Sequence, residues 1–266
     1  MNFFAQLLRW LDTSMETPVL YGWFHIMWLV ITTAIAVFLC LWQKRSENSQ
    51  HRKVLLWTSI IVIILEVYKQ INFSFSYEGS ISFDYAWYAF PFQFCSTPMF
   101  IGLLAGLTKP GKFHDALCAY LATFALFAGA CVMFYPGDVF ISTIGINIQT
   151  MVCHGSMIFI GIYLLATDYV KISHKTILKA IPVFAVCVVM AVAMNEIAAA
   201  AGLLQTDTFN MFYVSRHCDP HLPVYSLVQP LLPFPLALAV YIIGFSLAAY
   251  IILLIAIGIK KACVKR

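Results

Sequence analysis

The chain has 266 residues, of which 62% are hydrophobic and 11% are charged, and its mean hydropathy is +0.86. This composition excludes a soluble domain of this length and indicates a protein that is surrounded by lipid. The formal net charge of +4 does not indicate nucleic-acid binding, because the basic residues are spread over short segments between apolar runs and form no single patch.

The N-terminal segment carries Arg9, Asp12 and Glu16 and lacks a cleavage-site pattern, so it is not expected to be a removable signal peptide. Residues 3–11 predict a short amphipathic helix at the membrane interface. Apolar stretches that are long enough, or nearly long enough, for a membrane helix of about 20 residues follow it. They cover 23–42, 54–71, 91–107, 116–134, 148–166, 177–202 and 235–259. The sequence therefore predicts an all-α, polytopic membrane protein, with residues 1–266 forming one domain of about seven transmembrane helices.

The distribution of Lys and Arg predicts the orientation of these helices. Of the 16 basic residues, 13 fall in the segments 44–53, 109–112, 171–179 and 260–266, which lie on one side if the apolar stretches alternate in direction. The other side carries only Arg9 and Arg216, and Lys69 lies inside a span. Cytoplasmic loops of membrane proteins carry the excess of Lys and Arg, so we expect the N-terminus outside and the C-terminus in the cytoplasm. The expected location is the cell membrane.

Placing polar side chains in the hydrocarbon region costs free energy, so the polar residues inside the predicted spans indicate structural pairs or function. They concentrate in the outer halves of the spans, with Asn72 and Asn147 just beyond; this pattern predicts one polar cavity that opens toward the outer leaflet. The set comprises His25, Glu66, Lys69, Gln70, Gln93, Cys95, Gln149, His154, Asn195 and Glu196.

Cys95 and His154 stand out in this set because both lie about 6–9 Å below the outer interface, at a rise of about 1.5 Å per residue. A single Cys in a membrane helix is usually a packing residue, and a single His is usually a hydrogen-bonding group between helices. Their shared depth nevertheless favours a reactive pair. Glu66 and Lys69 are three residues apart and are expected to form an ion pair, which could be purely structural. Gly102, Gly106 and Gly155 could either admit a lipid chain or permit tight helix contact.

Other candidate sites are weaker. A disulfide among Cys131, Cys153 and Cys218 stays open, because all three fall toward the predicted outer side. The run from His217 to His221 contains metal-ligating residue types, but on a proline-rich loop it is a weak signal, so we predict no metal and no cofactor.

Two segments resemble a known family. Phe90-Pro-Phe-Gln-Phe-Cys-Ser-Thr-Pro-Met99 and Asn147-Ile-Gln-Thr-Met-Val-Cys-His-Gly155 resemble the bacterial YwaF-type integral membrane family, and Asn210-Met-Phe-Tyr213 is similar as well. This family is grouped with the vertebrate transmembrane cysteine acyltransferase of polyunsaturated ether phospholipids. By motif position, the resemblance implies that Cys95 and His154 carry acyl transfer. The segments flanking these motifs match that enzyme less closely, which leaves the substrate open.

The leading hypothesis is thus a thiol acyltransferase that uses membrane lipids as acyl donor and acceptor. His154 would act as general base for Cys95, while Gln93, Gln149 or Asn195 would stabilise the oxyanion and Glu196 would orient His154. A lateral opening to the outer leaflet should then lead to Cys95. The alternative is a non-enzymatic receptor or transporter whose polar residues bind a solute or a proton. A retinal photoreceptor is not favoured, since the last span has no lysine for a Schiff base. The acyl chain, the acceptor and the oligomeric state stay undetermined.

Overall fold

Long apolar helices dominate the computed structural model of the protein, which describes residues 3–46, 48–77, 79–137, 139–203, 209–219, 222 and 224–264. Within these residues, six helices are long and apolar enough to cross a membrane. They comprise α2 (Trp23–Arg45), α3 (His51–Ser74), the rod Lys112–Phe134, α7 (Ile144–Ala166), α8 (Lys175–Ala200) and α10 (Phe234–Val264). The short helix α9 (Tyr225–Val228) precedes α10. The all-helical, multi-pass architecture predicted from hydropathy is therefore confirmed. The orientation of the termini stays a prediction.

The sequence predicted a membrane helix over 91–107, but in this stretch only α4 (Thr97–Leu107) is α-helical. Eleven residues rise about 16 Å, which is too short to cross the hydrocarbon core as a helix. Pro91 forces the preceding Phe90 into an extended conformation, with ψ of 134°, and Pro98 sits in the first turn of α4, a position that proline favours. The described residues thus contain six helices of spanning length instead of the seven predicted.

The segment that contains α4 nevertheless runs antiparallel to α3 over most of its length. The Arg52 guanidinium donates to the carbonyl oxygens of Gly106 and Leu107, at distances of 3.2 and 3.1 Å. Toward the other end of α3, the Gln70 amide donates to the carbonyl of Ala89 at 2.7 Å. The irregular residues before α4 therefore lie beside the second half of α3, which places Cys95 against the middle of the bundle.

The rod Lys112–Phe134 contains one turn of π-helix. It consists of α5 (Lys112–Tyr120), the π-helical turn Leu121–Ala125 and α6 (Leu126–Phe134). Single π-helical turns inside α-helices occur frequently at functional sites. This turn is fully buried and packs in the aromatic core, where the rings of Phe124 and Phe184 stack at 4.5 Å.

Glycines set the close approach of several helices. A side chain at Gly106 would lie 2.8 Å from the Leu56 backbone, and one at Gly155 would lie 2.6 Å from the Thr32 hydroxyl. Gly102 likewise faces Ser59. Of the two roles left open for these glycines, the structure shows tight helix contact.

The end of the bundle opposite the Lys/Arg-rich loops is covered by short elements. The amphipathic helix α1 (Phe3–Leu11) has the bounds predicted from the sequence, and the carbonyl of Leu11 accepts hydrogen bonds from Tyr68 and Asn72. The antiparallel strands β1 (Phe75–Tyr77) and β2 (Ile81–Phe83) form a hairpin after α3, which hydropathy did not predict. Phe4 of α1 packs against Phe75 of this hairpin.

Candidate functional site

Cys95 lies two residues before α4 and is partly exposed. It lines a largely enclosed cavity of about 10 Å³ together with Ser59 and Val62 of α3, Cys153 of α7 and Leu121 of the π-helical turn. A cavity of this size holds about one water molecule. This cavity is too small for an acyl chain, so the residues that the structure describes form no lateral opening that ends at Cys95 in this conformation.

The backbone of Cys95 contacts α7 directly. The thiol of Cys153 donates to the carbonyl oxygen of Cys95 at a sulfur–oxygen distance of 3.7 Å. Cys153 is buried and immediately precedes His154 in the sequence. The contact therefore brings the Cys95 backbone to the same turn of α7 that carries His154.

His154 is buried, with 6% of its surface exposed, and its two ring nitrogens have different environments. Nδ1 lies 2.8 Å from the carbonyl oxygen of Thr150, one turn earlier in α7. Because a carbonyl oxygen only accepts, Nδ1 must carry the proton in the neutral ring. Nε2 is then an unprotonated acceptor, and it is buried without a hydrogen-bond partner. This is the protonation state that a general base requires.

The side chains of Cys95 and His154 are not hydrogen-bonded to each other, since Nε2 has no partner among the described residues. They do share an electrostatic neighbourhood, because the ammonium of Lys69 acts on both groups. The Ser96 hydroxyl also lies beside the Cys95 sulfur. The dyad therefore stays a prediction.

Glu66 and Lys69 form the ion pair that their spacing predicts. Lys69 Nζ lies 2.7 Å from Glu66 Oε1, and the two side chains are 16% and 5% exposed, respectively. Gln149, which was predicted to stabilise an oxyanion, instead donates to Glu66 Oε2 at 3.1 Å, and Gln70 donates to Glu66 Oε1 at 2.8 Å. This cluster satisfies a carboxylate that would otherwise be very costly to bury.

Gln93 and Asn195 hold the segment Asn210–Tyr213 and do not face the sulfur as free donors. The Gln93 side chain donates to the carbonyl of Asn210 and accepts from the backbone amide of Phe212. Asn195 exchanges two hydrogen bonds with the backbone of Met211, at 2.7 and 3.1 Å. The oxyanion role predicted for both residues is therefore not supported, because both ends of each amide are occupied.

The segment that these amides hold is strained. Phe212 and Tyr213 have φ values of 58° and 55°, in the left-handed region that bulky residues rarely adopt. The carbonyl of Phe212 also accepts a hydrogen bond from Tyr241 of α10 at 2.9 Å. Consecutive strained residues that surrounding contacts fix in place are typical of functional sites. Tyr213 lies close enough to Cys95 for an electrostatic interaction between the two groups.

The sequence suggested that Glu196 orients His154, but the structure shows other partners for Glu196. Its carboxylate binds Arg216 at 2.8 Å and His217 at 3.1 Å, on a partly exposed surface. Glu196 is the next residue after Asn195 on α8, and adjacent residues of a helix point in different directions. The backbone carbonyl of Thr150 has the orienting position instead.

Sequence reasoning missed Asn210 as a candidate. Its side chain Nδ2 is buried without a partner, while Oδ1 accepts from the backbone amide of Ser215. The residue was visible in the motif Asn210–Tyr213, but only the hydrogen bonds show that its amide is a free donor. It was also not apparent that Cys153, considered only as a possible disulfide partner, lines the cavity of Cys95.

The remaining polar residues form separate pairs instead of the single cavity that was predicted. His25 Nε2 bonds to the carbonyl of Met133 at 2.7 Å, while its Nδ1 accepts from the amide of Tyr21. Asn147 bonds to the backbone of Ile141 through both side-chain ends. Each buried polar group needs a partner where water is absent, so the nearest donors and acceptors combine locally.

A second pair of cysteine and histidine lies near the Lys/Arg-rich loops. Cys118 Sγ is 3.4 Å from His114 Nε2, which also hydrogen-bonds to the Tyr169 hydroxyl at 2.7 Å. His114 Nδ1 lies 3.3 Å from Thr108 Oγ1. The ring of His51 stacks on Tyr169 at 3.9 Å. This cluster joins α3, α5 and the segment after α7.

All eight cysteines have free thiols, so the disulfide considered for Cys131, Cys153 and Cys218 is not present. No group of three metal-ligating side chains occurs among the residues that the structure describes. Pro220 and His221 of the histidine-rich run lie outside those residues.

Comparison with known proteins identifies the family of the chain. The model of the TMEM164 family, a transmembrane protein family, matches residues 20–257. No curated protein and no solved structure matches the chain. The grouping with YwaF-type proteins stays a prediction.

Proposed function

The chain belongs to the TMEM164 family, and on that premise we propose that it is a cysteine acyltransferase of the cell membrane. Cys95 is the nucleophile and His154 the general base, and membrane lipids are the acyl donor and acceptor. The buried, unpaired Nε2 of His154 is the single observation that carries this proposal.

The hydrogen bond at His154 supports the role of base. A nitrogen acceptor buried in lipid without a donor is costly, so its retention favours a partner that arrives with the reaction. The Thr150 carbonyl fixes the tautomer, as the orienting carboxylate does in serine hydrolases. The chain therefore holds a base that is ready to accept a proton at Nε2.

The position of Cys95 supports the role of nucleophile. A free thiol has a pKa of about 8.5, so a base or a favourable field is needed to produce thiolate at neutral pH. The backbone amides of Ser96 and Thr97 bond to the Gln93 carbonyl and offer no free donor to the sulfur, so His154 has to provide the base. The Lys69 ammonium lies nearby and favours the thiolate, whereas the carboxylate of Glu66, its ion-pair partner, opposes it.

The reaction has two steps. His154 Nε2 takes the thiol proton, Cys95 Sγ attacks the carbonyl carbon of a lipid ester, and the C–O bond breaks as the alcohol product leaves with that proton. An acceptor hydroxyl then gives its proton to His154 and attacks the thioester, the C–S bond breaks, and the thiolate recovers the proton.

An apolar groove supports a lipid substrate. Phe127 of α6, Tyr241 and Phe245 of α10 and residues before α10 line a space of about 410 Å³. Phe245 packs edge-on against Phe94, the neighbour of Cys95, with ring centroids 5.3 Å apart. This aromatic contact joins a residue that lines the groove to the residue before Cys95, so we expect it to change when an acyl chain enters.

The proposal is tested with the purified full chain in vesicles that contain a phospholipid with an isotope-labelled acyl chain and an unlabelled lysophospholipid. We expect labelled acceptor to form, and we expect Cys95→Ala to abolish its formation. Cys153→Ala is the matched control, because that thiol lines the same cavity. Transfer by Cys95→Ala at the wild-type rate would refute the assignment.

A receptor or transporter is the second candidate, and one observation favours it. The hydroxyl of Tyr85 donates to Gln70, which donates to the buried Glu66, so a hydrogen-bonded chain enters the bundle from the end covered by α1. Such a chain suits proton or solute binding. In that case Cys95→Ala would be tolerated and Glu66→Gln would abolish function.

A further inference from the structure

A polar pocket lies at the end of the bundle that α1 covers. It has a volume of about 440 Å³ and lies between α1, the end of α3, the β-hairpin and the segment 84–88. Its lining includes Arg9, Asp12, Ser74, Tyr77, Asp84 and Tyr85. The volume is in the range of small-molecule sites, although its lining is more polar than usual.

The charges that line this pocket do not neutralise one another. Arg9 and Asp84 are exposed, and neither has an ion-pair partner among the described residues. The guanidinium of Arg9 lies over the ring of Tyr77, 4.9 Å from its centre. Asp12 accepts a hydrogen bond from Thr143 through one oxygen, which leaves the other for a ligand. A pocket with separated charges of both signs suits a ligand that carries both signs as well.

Ser74 provides an independent indication of a ligand. The residue is 4% exposed, and its hydroxyl is buried without a hydrogen-bond partner. Serine in the last turn of a helix usually bonds to a backbone carbonyl of the preceding turn or to solvent. A buried donor that lines a polar pocket without a partner indicates that an acceptor is supplied from outside the chain.

We propose that this pocket binds a zwitterion that carries a phosphate and an ammonium group. Arg9 and Ser74 contact the phosphate, because guanidinium and hydroxyl groups donate to its oxygens. Asp12 and Asp84 contact the ammonium, and the tyrosine rings add cation–π attraction. Arg9 and Asp12 precede residues 20–257, which the family model matches.

The head group of a phospholipid and a free phosphorylated amine share this chemistry. The pocket is linked to the interior, because Tyr85 of its lining begins the hydrogen-bonded chain to Glu66. From Ser74 to Glu66 the rise along α3 is about 12 Å. Use of the pocket to hold the head group of a lipid substrate rests on the proposed acyl transfer, whereas binding itself does not.

Binding is tested on the full chain in a neutral detergent, with phosphoethanolamine and ethyl phosphate as probes that differ only in the ammonium group. We expect phosphoethanolamine to bind at least fivefold more tightly than ethyl phosphate. Asp84→Asn should remove this difference, and Arg9→Gln should weaken both probes at least tenfold. The matched controls Asp219→Asn and Lys112→Gln, which lie outside the pocket, should leave both affinities unchanged.

The source of the ligand is tested by native mass spectrometry with phosphatidylethanolamine and phosphatidylglycerol. Preferential retention of phosphatidylethanolamine that Asp84→Asn abolishes supports a lipid head group, even if the soluble probes bind weakly. Binding of the soluble probes without any lipid preference supports a free phosphorylated amine. The proposal is overturned if neither source binds, or if Asp84→Asn and Arg9→Gln bind as the wild type does.

Binding and acyl transfer are separated by two further variants. Cys95→Ala should bind phosphoethanolamine normally, since Cys95 does not line the pocket. Ser74→Ala should raise the apparent KM for the lipid substrate with little change in kcat. If it weakens binding but leaves KM unchanged, the pocket binds its zwitterion but is not a substrate subsite.

Discussion

The molecule contains two neighbourhoods of cysteine and histidine, and the closer pair is the weaker candidate for catalysis. Cys118 Sγ contacts His114 Nε2 at 3.4 Å, yet this nitrogen is also hydrogen-bonded to Tyr169, and Nδ1 faces Thr108. His154 makes no contact with the Cys95 thiol that would count as a hydrogen bond, yet its Nε2 is free. The difference is that both ring nitrogens of His114 have hydrogen-bond partners, whereas Nε2 of His154 has none among the described residues.

This comparison teaches that proximity alone does not identify a catalytic pair. A general base must accept a proton during the reaction, so a ring nitrogen already hydrogen-bonded to a tyrosine hydroxyl is poorly suited to that role. The His114 cluster joins three parts of the bundle and is expected to stabilise it. The His154 site is expected to carry chemistry at some cost in stability.

The largest difference in acyl-transfer rate is expected between the variants that replace Cys95 and Cys118. Cys95→Ala should reduce lipid acyl transfer by about 10⁴-fold or more, because the nucleophile is lost. Cys118→Ala should change the rate by less than about twofold, since this thiol only donates to His114. Acyl transfer in vesicles measures both. Equal losses in the two variants would remove the distinction between the neighbourhoods.

Replacing the two histidines should give a smaller contrast. His154→Gln should lower kcat by about 10²- to 10⁴-fold, the usual contribution of a general base, and leave thermal stability nearly unchanged or slightly higher. His114→Gln should lower the melting temperature instead, because it disrupts hydrogen bonds with Tyr169 and Thr108. Activity and thermal unfolding are measured on the same preparations. A fall in stability without loss of kcat in His154→Gln would make His154 structural.

The buried ion pair Glu66–Lys69 should contribute more to stability than the exposed ion pair Asp115–Lys179. Glu66→Leu leaves Lys69 without its buried partner and should lower the free energy of unfolding by about 3–5 kcal/mol. Asp115→Asn breaks the exposed pair with Lys179 and should cost at most about 1 kcal/mol. Denaturation in mixed detergent measures both. The double variant Glu66→Leu, Lys69→Leu should recover part of the loss, and no recovery would contradict a purely electrostatic cause.

The smallest expected effect is the pH dependence of stability that arises from the ion pair between Asp168 and Lys260. The hydrogen bond from Lys260 Nζ at 2.7 Å lowers the pKa of Asp168 below its usual value. The pair therefore stabilises the fold at pH values above about 3.9, the unfolded pKa, and this contribution disappears as the pH falls through the folded pKa. Because both side chains are about half exposed, the effect should stay below about 1 kcal/mol. Melting temperatures of wild type and Asp168→Asn should converge at acidic pH, and a constant difference would contradict this cause.

Hydropathy predicted the long helices well, because each is a continuous apolar run that must satisfy its backbone internally. It failed at 91–107, where the apolar run continues but Pro91 and Pro98 restrict the helix to its second half. The position of Pro98 just after Ser96 and Thr97 was the signal for a helix start. Hydropathy also gave no indication of the hairpin Phe75–Phe83.

The polar residues of the site were identifiable by type and depth, but their partners were not. Glu66 and Lys69 share a helical face, so their pairing followed from spacing. The partners of Gln93 and Asn195 lie more than ten residues away, on the strained segment Asn210–Tyr213. The orientation of an amide depends on the donors and acceptors around it, so these partners required the folded structure.

The most direct test is to identify the residue that carries the acyl group. The full chain is incubated with a labelled phospholipid in the absence of acceptor, quenched in acid and digested, and the acylated peptide is located by mass spectrometry. We predict a hydroxylamine-sensitive thioester on Cys95, reduced in His154→Gln and absent in Cys95→Ala. A thioester on Cys153 or Cys118 with an unmodified Cys95 would contradict the account.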